Sequence, residues 1–466
     1  MTKQIRKSPK VTFYLLVLFL LLGGLMVAAV FVAPTAASSK PIAKNIIVLI
    51  ADGRGYRHVQ ATNYYDYGKE SRQVYERFPF RFGMSTYMDY DEGEACYGQG
   101  YNPAGAWGDF DYVKSCYTDS AAAATAMSTG VKSYYGAIGV DMDMNPLSHL
   151  LEIAEDKGQS TGVITSVEWS HATPAGFVAH NVSRNNYAEI GQEMVYDSAA
   201  DVIMGAGHPW YDYDGQPKVL PNTFKYVGGE TTWDGLVAGT AGGDADGDGV
   251  DDPWLLIQTR DEFQALMSGP TPKRVLGTAQ VYQTLQSNRS GDKYADPFVV
   301  PLIDTVPTLE EMTKAALNIL DDDPDGLFLM IEGGAVDWAS HDNGSGRMIE
   351  EHMDFDMAVQ AVVDWVRENS NWGETLVVVT SDHETGYLTG LGSDPNWTPL
   401  VNNGEGILPG MEWHSGDHTN SLVPFYAKGD AGRIFTGFAD EYDPVRGAYL
   451  DNIELTSGIM WAMEPH

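Results

Sequence analysis

Ser120 stands in Tyr117-Thr-Asp-Ser-Ala-Ala-Ala-Ala-Thr-Ala-Met-Ser-Thr-Gly130, at the head of an Ala-rich run that closes on Gly. That pattern predicts a helix over Ser120–Thr129. A hydroxyl in its first turn lies among backbone N–H groups that lack intrahelical partners, at the positive end of the dipole, where phosphate is readily held. The small residues that follow leave the hydroxyl unscreened. An ordinary Ser cap fits the same place, so this run alone leaves both readings open.

Carboxylates and imidazoles supply the second kind of chemistry. Asp337 and His341 are spaced i, i+4 in Glu332-Gly-Gly-Ala-Val-Asp-Trp-Ala-Ser-His341, so on a helix they face one way and can share a metal. Asp382-His383 ends one apolar run, and Asp52 ends another within Ala51-Asp-Gly-Arg-Gly55. His414 and His418 lie in Trp413-His-Ser-Gly-Asp-His-Thr419. Hard carboxylates mixed with imidazoles, without thiolate, suit Zn²⁺ or a similar divalent ion with open positions. Each pair alone is as compatible with a surface contact; the recurrence of acids at strand ends with His beside them is what carries weight.

The elements that must position these groups are legible as alternating runs. Asn45–Asp52, Gly162–Ser166, Leu327–Glu332, Leu376–Asp382 and Leu422–Ala427 read as buried strands. Helical patterns fall at Ser120–Thr129, Pro146–Lys157, Leu309–Leu320 and Met348–Asn369. The expected fold is therefore α/β, a central, largely parallel sheet covered on both faces, with its ligands at the carboxyl ends of the strands. Residues 205–300, rich in Gly, Asp, Trp and Tyr, read as an irregular insertion within a single catalytic domain spanning 38–466.

Composition bounds the function. The 466 residues carry 64 Asp+Glu against 29 Lys+Arg, a net charge of −35, which opposes nucleic acid and anionic lipid. A hydrophobic fraction of 43% excludes a wholly disordered acidic chain. Such a surface suits salty water, where screening weakens its self-repulsion. At the N-terminus, Lys3, Arg6, Lys7 and Lys10 precede an apolar run from Val11 to Val32 and then Pro34-Thr-Ala-Ala-Ser38. Residues 1–37 thus read as an export signal cut after Ala37, with an uncleaved membrane anchor as the rival. Either way the remainder is exported, periplasmic or secreted, and there Cys96 and Cys116 are expected to form one disulfide, two free thiols being the alternative.

Taken in order, Asp52-Gly-Arg-Gly55, Thr118-Asp-Ser-Ala-Ala-Ala-Ala-Thr-Ala126, Ala172-Thr-Pro-Ala175, Glu332-Gly with Asp337 and His341, Asp382-His383 and His418-Thr419 resemble the alkaline phosphatase family. The resemblance runs from about Lys44 to the C-terminus, excluding most of 205–300, and implies a three-layer αβα core with 205–300 as a crown-like insertion. It implies Ser120 as the nucleophile of a phosphomonoesterase that passes through a phosphoserine. Asp337, His341 and His418 would hold one Zn²⁺. Asp52, Asp382 and His383 would hold a second, beside Ser120, whose pKa it lowers. Two ions about 4 Å apart stabilise the entering and leaving oxygens of an in-line displacement. Asp52, Thr173 and Glu332 would build a third site for Mg²⁺ or Zn²⁺, and Arg184, oriented by Asp119, would clamp phosphate through two parallel donors. Members are often dimers, so a homodimer is one expectation.

Two positions depart from some members. His171 stands where Asp can precede Ala-Thr-Pro, which would weaken Mg²⁺ binding at the third site. Trp338 stands where Lys can follow the zinc Asp, which would loosen product phosphate, unless Trp338 is a packing residue. A phosphodiesterase, sulfatase or phosphonate hydrolase would share similar ligands, but no Cys/Ser-x-Pro-x-Arg stretch marks a sulfatase here. A catalytically dead, calcium-stabilised carbohydrate-binding protein would have lost some of these ligands, and none is lost. Separately, Asp244, Asp246 and Asp248, with Asp251 and Asp252, resemble the start of a structural Ca²⁺ loop, although Leu255 stands where its closing Glu belongs. A solvated acidic turn is the alternative.

Overall fold

The computed structural model describes residues 43–245 and 249–464. The N-terminal segment 1–37, Asp246 and Asp248 lie outside the described residues.

Eleven strands among these residues form one sheet: β1 (Asn45–Ala51), β2 (Phe80–Ser85), β3 (Ser160–Glu168), β4 (Val202–Ala206), β5 (Leu255–Ile257), β6 (Val275–Thr278), β7 (Leu327–Gly333), β8 (Thr375–Thr380), β9 (Val423–Lys428), β10 (Glu441–Asp443) and β11 (Gly447–Asp451). Their order is β10-β11-β2-β9-β8-β1-β7-β3-β4-β6-β5. The strands from β8 to β5 pair in parallel, and β9 runs antiparallel to both β8 and β2.

Side-chain alternation explains the layers. Along β1, Ile46, Val48 and Ile50 enter one core while Ile47, Leu49 and Ala51 enter the other, all fully buried. Both faces are apolar, so both must be covered; each such Ile or Leu contributes roughly 1.5–3 kcal/mol. Helices α1 (Tyr56–Tyr67), α2 (Ser120–Thr129), α3 (Leu309–Leu320), α4 (Ala335–His341), α5 (Ser345–Asn369) and α6 (Ile453–Met463) supply much of the cover. Ala121, Ala124 and Met127 of α2 join the first core with Leu455 and Ile459 of α6, and α3 and α5 pack in the second. The result is a three-layer α/β fold, as expected.

Differences from expectation are local. The helix expected over Pro146–Lys157 is reduced to Leu150–Glu155, because Pro146 bridges to Val140 and His149 caps the helix through Nδ1. The stretch 205–300, expected to be irregular, contributes β5 and β6 to the sheet edge. Cys96 and Cys116 are bonded, with Cα atoms 5.5 Å apart.

Candidate active site

The central parallel strands deliver Asp52, Glu332 and Asp382 at their carboxyl ends, and all three are fully buried. The chain leaves β1 through Gly53 at φ +72°, a conformation few side chains tolerate. A Cβ there would also lie 2.7 Å from Thr385 Oγ1 and 2.8 Å from Asp337 Oδ1. The Asp-Gly pair thus combines an acid with the room its neighbours require.

Ser120 is the first residue of α2 but not its cap. Asp119 is the cap: its Oδ1 accepts from Ala122 N at 3.1 Å and from Gly136 N at 3.1 Å. The Ser120 hydroxyl is thereby released from capping. It lies 3.2 Å from His383 Nε2 and 3.5 Å from Asp52 Oδ2. Asp119 Oδ2 takes a hydrogen bond from Arg184 Nη1 at 2.9 Å, and Arg184 Nη2 donates to His171 Nε2 at 3.2 Å. Ser120, Arg184, His171, Asp337, Trp338, His341 and His418 share one cleft of about 490 Å³.

Asp337, His341 and His418 converge. His341 Nε2 is 3.3 Å from Asp337 Oδ2 and 3.0 Å from His418 Nε2. Both Nδ1 atoms donate to carbonyls, of Gly416 at 2.7 Å and Thr118 at 2.8 Å, so in the neutral rings both Nε2 lone pairs face inward. Asp52, Asp382 and His383 converge next to them, with His383 Nε2 3.4 Å from Asp52 Oδ1 and 3.2 Å from Asp382 Oδ2. Thr385 donates to Asp337, so its oxygen accepts from His383 Nδ1 at 3.2 Å, which turns the His383 Nε2 lone pair inward as well. Asp52, His171 and Glu332 form a third convergence.

The donor atoms fit cations. Asp52 Oδ1, Asp382 Oδ2, Glu332 Oε1 and Thr173 Oγ1 are buried without a hydrogen-bond partner, a costly state for polar atoms unless a ligand satisfies them. Burial, reinforced by Asp382, raises the Asp52 carboxyl well above its usual range. Burial raises Glu332 to about 8 and Asp382 to about 6. His383 and His171 are pushed down by burial, His171 to about 3 with help from Arg184. Burial opposes charge on His341, but Asp337 overrides it and lifts the ring to about 9. Crowded acids that hold protons, beside imidazoles whose lone pairs converge, are what a divalent ion would relieve.

Some expectations fall elsewhere. His414 bonds Thr389 Oγ1 at 2.7 Å and packs on Phe110, in an aromatic cluster outside the cleft. In the acidic loop, Asp244 Oδ2 accepts from Gly249 N at 2.8 Å, while Asp252 accepts from Ala245 N and pairs with Lys273 at 2.8 Å. A further cluster of His149, Glu152 and His180 closes on itself: His149 Nδ1 accepts from Glu152 N, and His180 bonds both Glu193 and Leu147 O. Thr385 and the carbonyls of Thr118 and Gly416 were not anticipated. Thr385 follows Asp382-His383 closely, the one signal that could have raised it.

The chain is similar to known proteins. The family model described as Alkaline phosphatase matches residues 43–406. Alkaline phosphatase 3 of Bacillus subtilis is 32% identical over 76% of this chain and 64% of its own length, so the match spans less than two thirds of that relative. Alkaline phosphatase H of Pseudomonas aeruginosa is 30% identical over 87% of this chain and 84% of its own. The solved alkaline phosphatase of the Antarctic bacterium TAB5 superposes with a TM-score of 0.61 at 24% identity, over 92% of this chain and 99% of that one.

Proposed function

The chain belongs to the alkaline phosphatase family, and from that premise we propose that it hydrolyses phosphate monoesters and releases inorganic phosphate, with Ser120 as nucleophile. The observation that carries this reading is the Ser120 hydroxyl, free of capping, 3.2 Å from His383 Nε2 of one convergent set of metal-type donors and in the same cleft as the other, Asp337, His341 and His418.

Asp337, His341 and His418 would hold one Zn²⁺, and Asp52, Asp382 and His383 a second. When bound, these ions supply Lewis acidity and lower the pKa of a nearby hydroxyl. Ser120 Oγ loses its proton and bonds to phosphorus as the ester P–O bond breaks. The alcohol departs with a proton, and water then displaces Ser120 from phosphorus. Arg184 spends one N–H of Nη1 on Asp119 and one of Nη2 on His171. A second N–H on each nitrogen remains for two phosphate oxygens. In the third set, Asp52, Thr173 and Glu332 offer oxygen, the atom a hard ion such as Mg²⁺ prefers, while His171, whose Nε2 accepts from Arg184, carries its proton on Nδ1 in the neutral ring and offers no lone pair there. A histidine-to-aspartate variant of the TAB5 protein has been solved with Mg bound in its M3 site. Export is inferred from residues 1–37, and N-terminal sequencing of the mature protein tests it.

The decisive experiment compares a chromogenic phosphate monoester with the matching diester and sulfate ester, with and without chelator, in wild type and Ser120→Ala. Monoester turnover that chelator and Ser120→Ala each abolish is expected. Chelator-insensitive turnover, or a fully active alanine variant, overturns the mechanism.

A further inference from the structure

The cleft around Ser120 has an unusual mouth. Tyr117, Tyr135 and Trp338 line it, together with Asp342 and Asp417. Tyr135 is 60% exposed and stands at this opening rather than in the core. Asp342 is already paired with Lys293 at 2.7 Å. Asp417 is anchored through its backbone, taking Gly386 N on its carbonyl and donating its own N–H to Ser415 Oγ. Among the described residues its carboxylate has no hydrogen-bond partner.

Tyr135 also forms the wall of a second recess of about 390 Å³, lined by Tyr90, Tyr134, Met142 and Met144 with Asp91 and Glu94, and by no basic residue. The hydroxyls of Tyr90 and Tyr134 are spent on the carbonyls of Tyr117 and Val182, each at 3.0 Å, so what these rings offer a ligand is their faces. Past the phosphate end, then, a substrate meets π faces, thioethers and, in Asp417, Asp91 and Glu94, carboxylates that pair with no Lys or Arg among the described residues. An additional anionic group on the alcohol would be repelled there. A cation would be attracted twice, by the carboxylates and by the ring quadrupoles.

We propose that this mouth is a leaving-group subsite for phosphate monoesters whose alcohol carries an ammonium, best a quaternary ammonium, with Tyr135 and Asp417 as specificity-determining residues. A quaternary ammonium has no N–H to donate, so aromatic faces and a nearby carboxylate are the groups that recognise it. The proposal rests on the phosphomonoesterase reading. The chemistry is unchanged by it: the ester P–O bond breaks, and the alcohol leaves with its positive charge intact.

Choline phosphate and 3,3-dimethylbutyl phosphate, its uncharged carbon isostere, separate charge from shape. At low ionic strength wild type is expected to show kcat/KM roughly tenfold higher for choline phosphate, the scale of one partly desolvated cation–π contact. Tyr135→Leu and Asp417→Asn should each lower that ratio several-fold, and Tyr135→Phe should keep it, since the ring face acts rather than the hydroxyl. The ratio is read within each variant, so a general loss of activity does not mimic the effect. A wild-type ratio near one, or a ratio unmoved by both Tyr135→Leu and Asp417→Asn, overturns the subsite while a chromogenic monoester is still hydrolysed. Failure on every monoester instead overturns the parent reading.

Discussion

His341 Nε2 and His418 Nε2 stand 3.0 Å apart while both Nδ1 atoms donate to backbone carbonyls. Two imidazole lone pairs at that distance repel unless a proton or a metal ion lies between them. Stripping divalent ions is therefore expected to lower the melting temperature as well as abolish turnover, because an ion bound only by the folded chain stabilises it by mass action, about 4 kcal/mol at a thousandfold excess over Kd. Calorimetry before and after chelation checks this. His341→Ala should shrink the chelator effect, and an unchanged wild-type melting temperature would count against a metal at this group.

Arg184 reaches Asp119 and His171 at once. A lysine has one ammonium and cannot keep both contacts while presenting two parallel donors. Arg184→Lys is expected to lower kcat/KM about 100-fold, with weaker inhibition by inorganic phosphate. Retained phosphate inhibition would remove Arg184 from the binding of the anion.

Trp338 follows Asp337, lines the cleft, and lies 5.8 Å from the His171 ring. Placing an ammonium there adds positive charge beside the product. In Trp338→Lys, phosphate is expected to inhibit roughly tenfold more strongly, with kcat falling if release limits the rate. Steady-state inhibition constants decide it, and unchanged or weaker inhibition leaves Trp338 as a packing residue.

The parallel core was legible because its strands are apolar on both faces and end in acids. NIIVLIA before Asp52 and LFLMIE ending in Glu332 need no tertiary information to be read. The short edge strands were not legible: Leu255–Ile257 has three residues, too few for a periodic signal. The ligand residues announced themselves by type and spacing, but their orientation did not. That His418 presents Nε2 depends on the Thr118 carbonyl, 300 residues away in sequence, and that Asp119 rather than Ser120 caps α2 depends on its carboxylate also meeting Gly136. Such facts arise only when the chain closes on itself.

Glu155, remote from the cleft, offers a test of the electrostatics of the fold itself. It ends the helix Leu150–Glu155 and accepts from the Thr161 hydroxyl. Burial, with Asp201 adding to it, raises its carboxyl from 4.5 to about 8. A carboxyl that holds its proton more tightly in the folded chain contributes stability in full below about pH 4.5, and that contribution is lost as pH rises through 8. Glu155→Gln keeps an acceptor for Thr161 without the titration. The variant is expected to match wild type near pH 5 and to exceed it by about 2 kcal/mol near pH 9, a figure discounted for partial exposure. Melting temperatures of both proteins at the two pH values measure the difference, and parallel pH dependence in wild type and variant would refute a protonated Glu155 in the native state.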